Sequence, residues 1–121
     1  IVTHSDKDHS GGVVAVQEAL PIARTLSSIP GLAGERCVAG QEWEWDGVRF
    51  AILHPLADAY QRRVVKTNNM SCVLRIENAF GSVLLTSDIE ARDEGSLLAT
   101  AASRLQSDVL LVPHHGSGNG K

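Results

Sequence analysis

Four side chains that can bind a metal ion stand within six positions near the start of the chain. They are His4, Asp6, Asp8 and His9. The apolar pair Ile1-Val2 precedes them and reads as the end of a buried strand, while Gly11-Gly12 follows and allows a tight turn. Imidazole nitrogens and carboxylate oxygens this close together can converge on one or two divalent ions. The alternative is a solvated turn, but a turn needs only one or two polar residues.

Two later apolar segments also end at residues that bind metals. One strand pattern ends just before Asp88, and another ends at His114 and His115. Because α/β folds collect functional side chains at one edge of a sheet, we expect these groups to join the first motif. His114 comes first after its strand and is favoured for that reason, although the pattern leaves both histidines open. Asp88 has a second interpretation, as the N-cap of a helix that begins at Ile89.

Hydrophobic periodicity predicts the elements that hold these groups. In order they are a helix from Val13 that ends at Pro21, a connector over 21–42, hairpins centred on Asp46-Gly47 and on 78–81, a helix from Ile89 and a buried strand over 108–112. The Asp-Gly pair between two alternating segments is the strongest of these signals. The order fits a layered α/β sheet structure.

Several other residues have a functional and a structural interpretation, and the structural one is preferred. Trp43 and Trp45 stand at strand spacing, which is typical of one covered face rather than of a platform for bases. His54 ends a strand and is interpreted as structural rather than as a ligand. Cys37 and Cys72 lack a CxxC context, so we expect buried apolar residues; the pattern leaves a disulfide open.

The composition is that of a globular domain. A length of 121 residues allows one domain with a real core, and 43% hydrophobic with 21% charged residues is ordinary for α/β proteins. The net charge of −3 excludes a surface that attracts nucleic acid everywhere, so any such contact must be local. The sequence has no run of 18 apolar residues, so we expect no membrane crossing in this segment.

The first motif, H-x-D-x-D-H-x-G-G, resembles the H-x-H-x-D-H motif of the metallo-β-lactamase superfamily, with Asp6 in place of the second His. This variant is similar to the hydrolase-like domain of the ComEC family, membrane channels for DNA uptake in bacterial natural competence. Three later segments stand in the expected order: Asn68-Asn69-Met70-Ser71, Leu85-Thr86-Ser87-Asp88-Ile89-Glu90 and Val112-Pro113-His114-His115-Gly116-Ser117. Ser87 stands where the superfamily commonly has Gly. The resemblance spans nearly the whole chain.

The resemblance implies a metallo-β-lactamase-like fold, a layered αββα sandwich. Residues 1–121 would be one hydrolase domain and an incomplete portion of that fold, without its opening strands and its C-terminal elements. The implied setting is a soluble domain of a bacterial inner-membrane protein, with the side of the membrane left open. Its implied partners are DNA, single-stranded or duplex, and the transmembrane channel part of the same parent protein.

The resemblance also implies two metal ions. His4 and Asp6 would bind one ion, Asp8 and His9 the other, and Asp88 would bridge them, with His114 or His115 completing the shell. Asp8 and Asp88 would be the catalytic residues. Because this set is richer in carboxylates than an all-histidine site, the donor types favour Mn²⁺ without excluding Zn²⁺.

The implied activity is a nuclease that uses a metal-activated hydroxide to cut the DNA strand that is not transported. Seven residues are candidates for phosphate contacts: Asn68, Asn69, Ser71, Ser117, Arg62, Arg63 and Lys66. The three loop cations among them also have a simpler interpretation as solvated surface. Two other functions stay open at this point. One is hydrolysis of another ester, as in a phosphocholine esterase or an acyl hydrolase, and the other is a non-catalytic docking module.

Overall fold

The computed structural model describes residues 1–63 and 65–118. Its centre is a five-stranded mixed sheet in the order β3-β4-β5-β6-β7. The strands are β1 Leu26–Ser27, β2 Glu35–Arg36, β3 Glu42–Trp45, β4 Val48–His54, β5 Val73–Glu77, β6 Ser82–Leu85 and β7 Val109–Leu110. The helices are α1 Lys7–Ser10, α2 Val13–Ala19 and α3 Ala91–Ala101, and 3-10 turns cover Ala57–Gln61, Asn68–Met70, Ala102–Arg104 and Pro113–Gly116. Neighbouring strands from β3 to β6 are antiparallel, and β7 runs parallel to β6.

The hairpin between β3 and β4 confirms the prediction made from Asp46-Gly47. Both turn residues have positive φ angles, 50° and 76°, and two such residues are the mark of a type I′ turn. The turn fixes the register Trp43↔Phe50, so these two rings stack with their centroids 5.3 Å apart. Trp43 is half-buried as expected, but the covered-face interpretation is wrong for Trp45, which is exposed at the tip of the hairpin.

The sheet has a core on each face. Because alternate residues of β4 point to opposite sides, Leu53 packs with Leu97 of α3 on one face, while Ile52 packs with Leu26 on the other. On that second face Cys37 and Cys72 are buried as expected and form a disulfide with a Cα–Cα distance of 5.9 Å. The chain is therefore a layered α/β structure, as predicted. The four-layer αββα sandwich stays a prediction.

Three elements differ from the sequence prediction. The connector over 21–42 contains the parallel pair β1–β2, whose two-residue strands are too short for any periodic signal. Ile1 is exposed, and Val2 makes one isolated bridge to Ser27 rather than continuing a buried strand. Residues 108–112 were predicted as a buried strand, but they are exposed because β7 is the outermost strand, and no described strand pairs with its other edge.

The helix after β6 begins at Ala91 rather than at Ile89, with Glu90 at the N-cap position. The interpretation of Asp88 as a helix cap is therefore wrong, because Asp88 lies two residues before the cap.

Among the described residues, we find no helix with both the length and the apolar surface needed to span a membrane.

Candidate metal centre

Three segments of the chain bring their polar side chains to one end of the central sheet. Asp8 and His9 lie on α1, so the second half of the first motif is a helical turn rather than a loop. Asp88 is buried just beyond the end of β6. The turn after β7 is joined to this end by a hydrogen bond from the His114 backbone N–H to the Ser87 carbonyl, 3.1 Å. The convergence predicted from the sequence is present.

One group of ligand atoms consists of Asp8, His9, Asp88 and His115. His9 Nε2 lies 3.3 Å from Asp88 Oδ2 and 3.5 Å from Asp8 Oδ2. His115 Nε2 lies 3.3 Å from the same Asp88 oxygen and 3.4 Å from the same Asp8 oxygen. The two imidazole Nε2 atoms are 3.4 Å apart. Asp88 and His9 are largely buried, while Asp8 and His115 open to solvent.

These separations are compatible with four ligand atoms that share one ion. Ligand atoms on one tetrahedral ion, with bonds of about 2.0–2.2 Å, lie about 3.3–3.6 Å apart. The four histidine–aspartate separations and the one between the two histidines, from 3.3 to 3.5 Å, fall in that range. Two imidazole nitrogens and two carboxylate oxygens therefore fit one divalent ion in both chemistry and spacing.

His4 and Asp6 lie beside Asp88 but outside this group of mutually close ligand atoms. His4 Nε2 lies 3.7 Å from Asp6 Oδ2 and 3.9 Å from Asp88 Oδ2. The His4 side chain is 0% exposed, yet this nitrogen has no hydrogen-bond partner among the described residues. A buried polar atom without a partner is costly, and a cation beside the two carboxylates would satisfy it. Asp6 is oriented by the Thr67 hydroxyl, which donates to Asp6 Oδ1 at 2.8 Å.

The hydroxyl groups of Thr3 and Ser87 support the two inner histidines. Thr3 Oγ1 lies 3.1 Å from His4 Nδ1 and 3.4 Å from His9 Nδ1, and it accepts a hydrogen bond from Ser87 Oγ at 2.8 Å. A hydroxyl oxygen has two lone pairs, so beside Ser87 it can accept from one Nδ1–H group, and that of His4 is the nearer. The Nε2 lone pair of His4 then faces the carboxylates, which is the tautomer that binds metals. Ser87 has φ = 51°, a conformation that favours glycine.

Burial, and then the charge of the neighbouring His9, lower the pKa of His4. The nearby carboxylates act in the opposite direction but do not reverse the shift. His4 therefore stays neutral at lower pH than an exposed histidine does. A neutral imidazole is the form that coordinates a metal ion.

The structure separates the two histidines of the last motif, both of which have positive φ angles, 49° and 54°. His115 reaches the cluster, whereas His114 Nε2 lies 3.4 Å from Asn68 Nδ2 and His114 belongs to no metal-binding group of the described residues. The preference for His114, drawn from its position after the strand, is therefore not supported by the geometry. The left-handed backbone turns the second side chain, rather than the first, toward Asp88.

The chain is similar over 97% of its length to segments of much longer curated proteins. It is 36% identical over 118 residues to the competence protein ComA of Neisseria gonorrhoeae and 36% identical over 122 residues to recombination protein 2 of Haemophilus influenzae. It is also 36% identical over 117 residues to the uncharacterized protein YcaI of Escherichia coli. The chain spans only 14–16% of the length of these relatives. No family model and no solved structure matches the chain.

The residues predicted to bind phosphate are distributed around the cluster. Arg62 and Arg63 line a cavity of about 360 Å³ that also contacts His4. Lys66 and Asn69 line an adjacent cavity of about 310 Å³. The Nζ of Lys66 lies 3.4 Å from Glu90 Oε2. These four positions are compatible with a substrate path beside the site.

The three remaining candidates differ from one another in access to solvent. Ser117 is exposed and Asn68 is half-buried beside His114. Ser71 is 0% exposed, so its hydroxyl faces His4 and Asp88 from behind the cluster and has no open path to a substrate. Thr3 and Thr67 were not predicted to take part in the site. Both are hydroxyl residues beside ligand-rich segments, which is a weak signal that could have identified them.

Proposed function

We propose that this chain is the metal-dependent phosphodiesterase part of a competence protein and cuts the DNA strand that is not transported during uptake. The observation that carries the proposal is the cluster of three imidazoles and three carboxylates centred on Asp88. Two similar proteins are named as a competence protein and a recombination protein, and these names support DNA, rather than a small ester, as the substrate.

The residues divide into two ligand sets that share one carboxylate. Asp8, His9 and His115 would hold one ion, His4 and Asp6 the other, and Asp88 would contact both. Two divalent ions held in this way supply an activated water nucleophile and neutralise the charge of a phosphodiester. The donor types still favour Mn²⁺ without excluding Zn²⁺.

The protein holds Asp88 rigidly for this role. Leu84 precedes it in β6 and Ile89 follows it, and both side chains are buried in the core that includes α3. The carboxylate is itself 6% exposed. A ligand fixed by core packing can be shared between two ions without a large cost in ordering entropy.

The cavity beside His4 provides the contacts that a nucleic acid needs. Two guanidinium groups, Arg62 and Arg63, line it together with Thr67. Arg62 lies 3.6 Å from the exposed Asp58, and an exposed ion pair of this kind contributes little free energy. Its guanidinium can therefore turn toward a phosphate, which it binds through two parallel hydrogen bonds.

A DNA-cleavage assay tests the proposal. The full chain is treated with a chelator and then supplied with Mn²⁺ or Zn²⁺, using single-stranded and duplex DNA and, in parallel, phosphocholine and acyl esters. We expect cleavage of DNA that depends on the added ion and is faster with Mn²⁺. Asp8→Asn should remove cleavage, because it removes a charged ligand while keeping the size of the side chain.

The matched control is Asp46→Asn in the β3–β4 turn, which makes the same change far from the cluster and should leave the rate unaltered. Cleavage that survives chelation, or survives Asp8→Asn, would contradict the proposal. Hydrolysis of an ester in place of DNA would keep the metal centre but replace the substrate.

A further inference from the structure

His54 lies at the end of β4, outside both ligand groups, and is 5% exposed. Its Nδ1 is 2.8 Å from the carbonyl oxygen of Ser71. Because a carbonyl can only accept, Nδ1 must carry the proton and donate this hydrogen bond. The other ring nitrogen, Nε2, then points toward α3, where it lies 3.6 Å from Asp93 Oδ1.

Asp93 is buried in turn, at 8% exposure, and its second carboxylate oxygen has no hydrogen-bond partner among the described residues. The His54 ring faces this carboxylate, but the 3.6 Å between Nε2 and Asp93 Oδ1 is longer than a hydrogen bond. The imidazole is therefore fixed by its hydrogen bond to the Ser71 carbonyl, which sets the tautomer and the orientation of the ring.

Ser71 connects His54 to the metal centre. It is fully buried, and its hydroxyl oxygen accepts a hydrogen bond from the Asp88 backbone N–H at 3.3 Å. The same oxygen lies 3.4 Å from His4 Nδ1. One residue therefore contacts both the shared carboxylate residue and the most deeply buried imidazole.

We propose that His54 is a positioning residue for the metal centre. Its hydrogen bond fixes the Ser71 main chain, and the Ser71 hydroxyl then orients the backbone of Asp88 beside the buried His4 ring. The inference rests on the metal-binding part of the proposed function but needs no assumption about the substrate. Loss of a supporting group behind metal ligands typically lowers metal affinity about 10–100-fold.

Two substitutions at one position test this role. In His54→Asn the amide nitrogen can take the place of Nδ1 and donate to Ser71. In His54→Gln the amide reaches the place of Nε2 instead, so the Ser71 carbonyl loses its donor. Calorimetric titration of the full chain with Mn²⁺ and with Zn²⁺ should show a loss of about 10–100-fold for His54→Gln and near wild-type affinity for His54→Asn.

The control is Phe50→Ala, which removes the stacked contact with Trp43 from the same strand without touching Ser71 or the core that holds Asp88. It should lower the unfolding midpoint and leave metal affinity unchanged. A double substitution extends the test. Once Ser71→Ala has removed the hydroxyl, adding His54→Gln should cause no further loss of affinity.

The outcomes distinguish this inference from the proposed function. A wild-type chain that binds neither ion would overturn the metal centre and the role of His54 together. A wild-type chain that binds both ions, with equal affinities for His54→Gln and wild type, would overturn the role of His54 alone. The same conclusion would follow if the glutamine and asparagine variants lost affinity equally, or if Phe50→Ala lost as much.

Discussion

Asp6 is the residue that most distinguishes this centre from a histidine-rich one. Its carboxylate is half-exposed, accepts a hydrogen bond from Thr67 and faces His4 at 3.7 Å. Carboxylate oxygens suit Mn²⁺, whereas imidazole nitrogens suit Zn²⁺. We therefore expect Asp6→His to raise the ratio of Zn²⁺ to Mn²⁺ affinity by on the order of tenfold, measured by competitive titration of the purified chain.

Lys7→His is the matched comparison, because it adds an imidazole at the next position without replacing a ligand. It should leave the affinity ratio unchanged. If Asp6→His shifts the ratio no more than Lys7→His does, the oxygen of Asp6 does not decide the choice of ion.

Tyr60 gives a pH-dependent prediction away from the metal centre. Its hydroxyl donates to the Cys37 carbonyl at 2.6 Å, and burial raises its pKa to about 12, against an opposing effect of Arg36. The folded state therefore favours the protonated phenol over the unfolded state, where the pKa is about 10. This contribution to stability is complete below pH 10 and is lost as the pH rises from about 10 through about 12.

Tyr60 is the one tyrosine in the sequence, so tyrosinate absorbance reports it directly. We expect a midpoint near pH 12 for the folded chain, shifting to about 10 in denaturant. In Tyr60→Phe the fall in stability between those two pH values should be shallower. A midpoint near 10 in the folded chain would show that the phenol is not buried as the structure places it.

At the scale of elements, the disulfide joins the segment after β2 to the start of β5. It closes a loop with a sequence separation of 35 residues between Cys37 and Cys72. Restricting the unfolded chain over such a loop contributes about 4 kcal/mol. We expect the double variant Cys37→Ala, Cys72→Ala to lose roughly that much free energy of unfolding in urea, and reductant to have the same effect on wild type.

Reductant should leave the double variant unchanged, which separates the disulfide from a general effect of the reagent. The expectation fails if the untreated wild-type chain has two reactive thiols, or if both proteins unfold at the same urea concentration.

Elements with a strong local signal were predictable, and short or edge elements were not. Asp46-Gly47 specifies its hairpin because positive φ at both residues is available to few other pairs. By contrast, β1 and β2 depend on backbone hydrogen bonds between distant segments, such as Cys37 N–H to Ser27 O at 3.0 Å. The exposure of β7 was also missed, because an apolar strand has the same sequence pattern at the centre of a sheet and at its edge.

At the scale of the whole molecule, the ligand types were predictable while their exact assignment was not. The sequence provides three histidines and three aspartates near strand ends, so the chemistry of the cluster follows from residue type. His115, rather than the predicted His114, faces the cluster because two consecutive residues have left-handed backbone conformations. No pattern of side chains in the sequence predicts such a conformation. The burial of Ser71 depends on how β4 and β6 pack around it, and no local sequence pattern predicts that packing.

The proposed metal centre is a property of the folded whole. Its candidate ligands come from α1 and the segment before it, from the end of β6 and from the turn after β7, so they meet only when the sheet is complete. Asp88 Oδ2 faces both proposed ligand sets, at 3.3 Å from His115 Nε2 and 3.9 Å from His4 Nε2. The central claim is that this one carboxylate holds both ions.

Counting bound ions per chain, in wild type and in Asp88→Asn, tests that claim most directly. Both proteins are equilibrated with Mn²⁺ or Zn²⁺, passed through a desalting column and analysed for metal, with circular dichroism to confirm folding and Asp46→Asn as the control. The shared-ligand arrangement predicts two ions per chain for wild type and the control, and a loss of both from folded Asp88→Asn. Two ions retained by Asp88→Asn with wild-type affinity would contradict it.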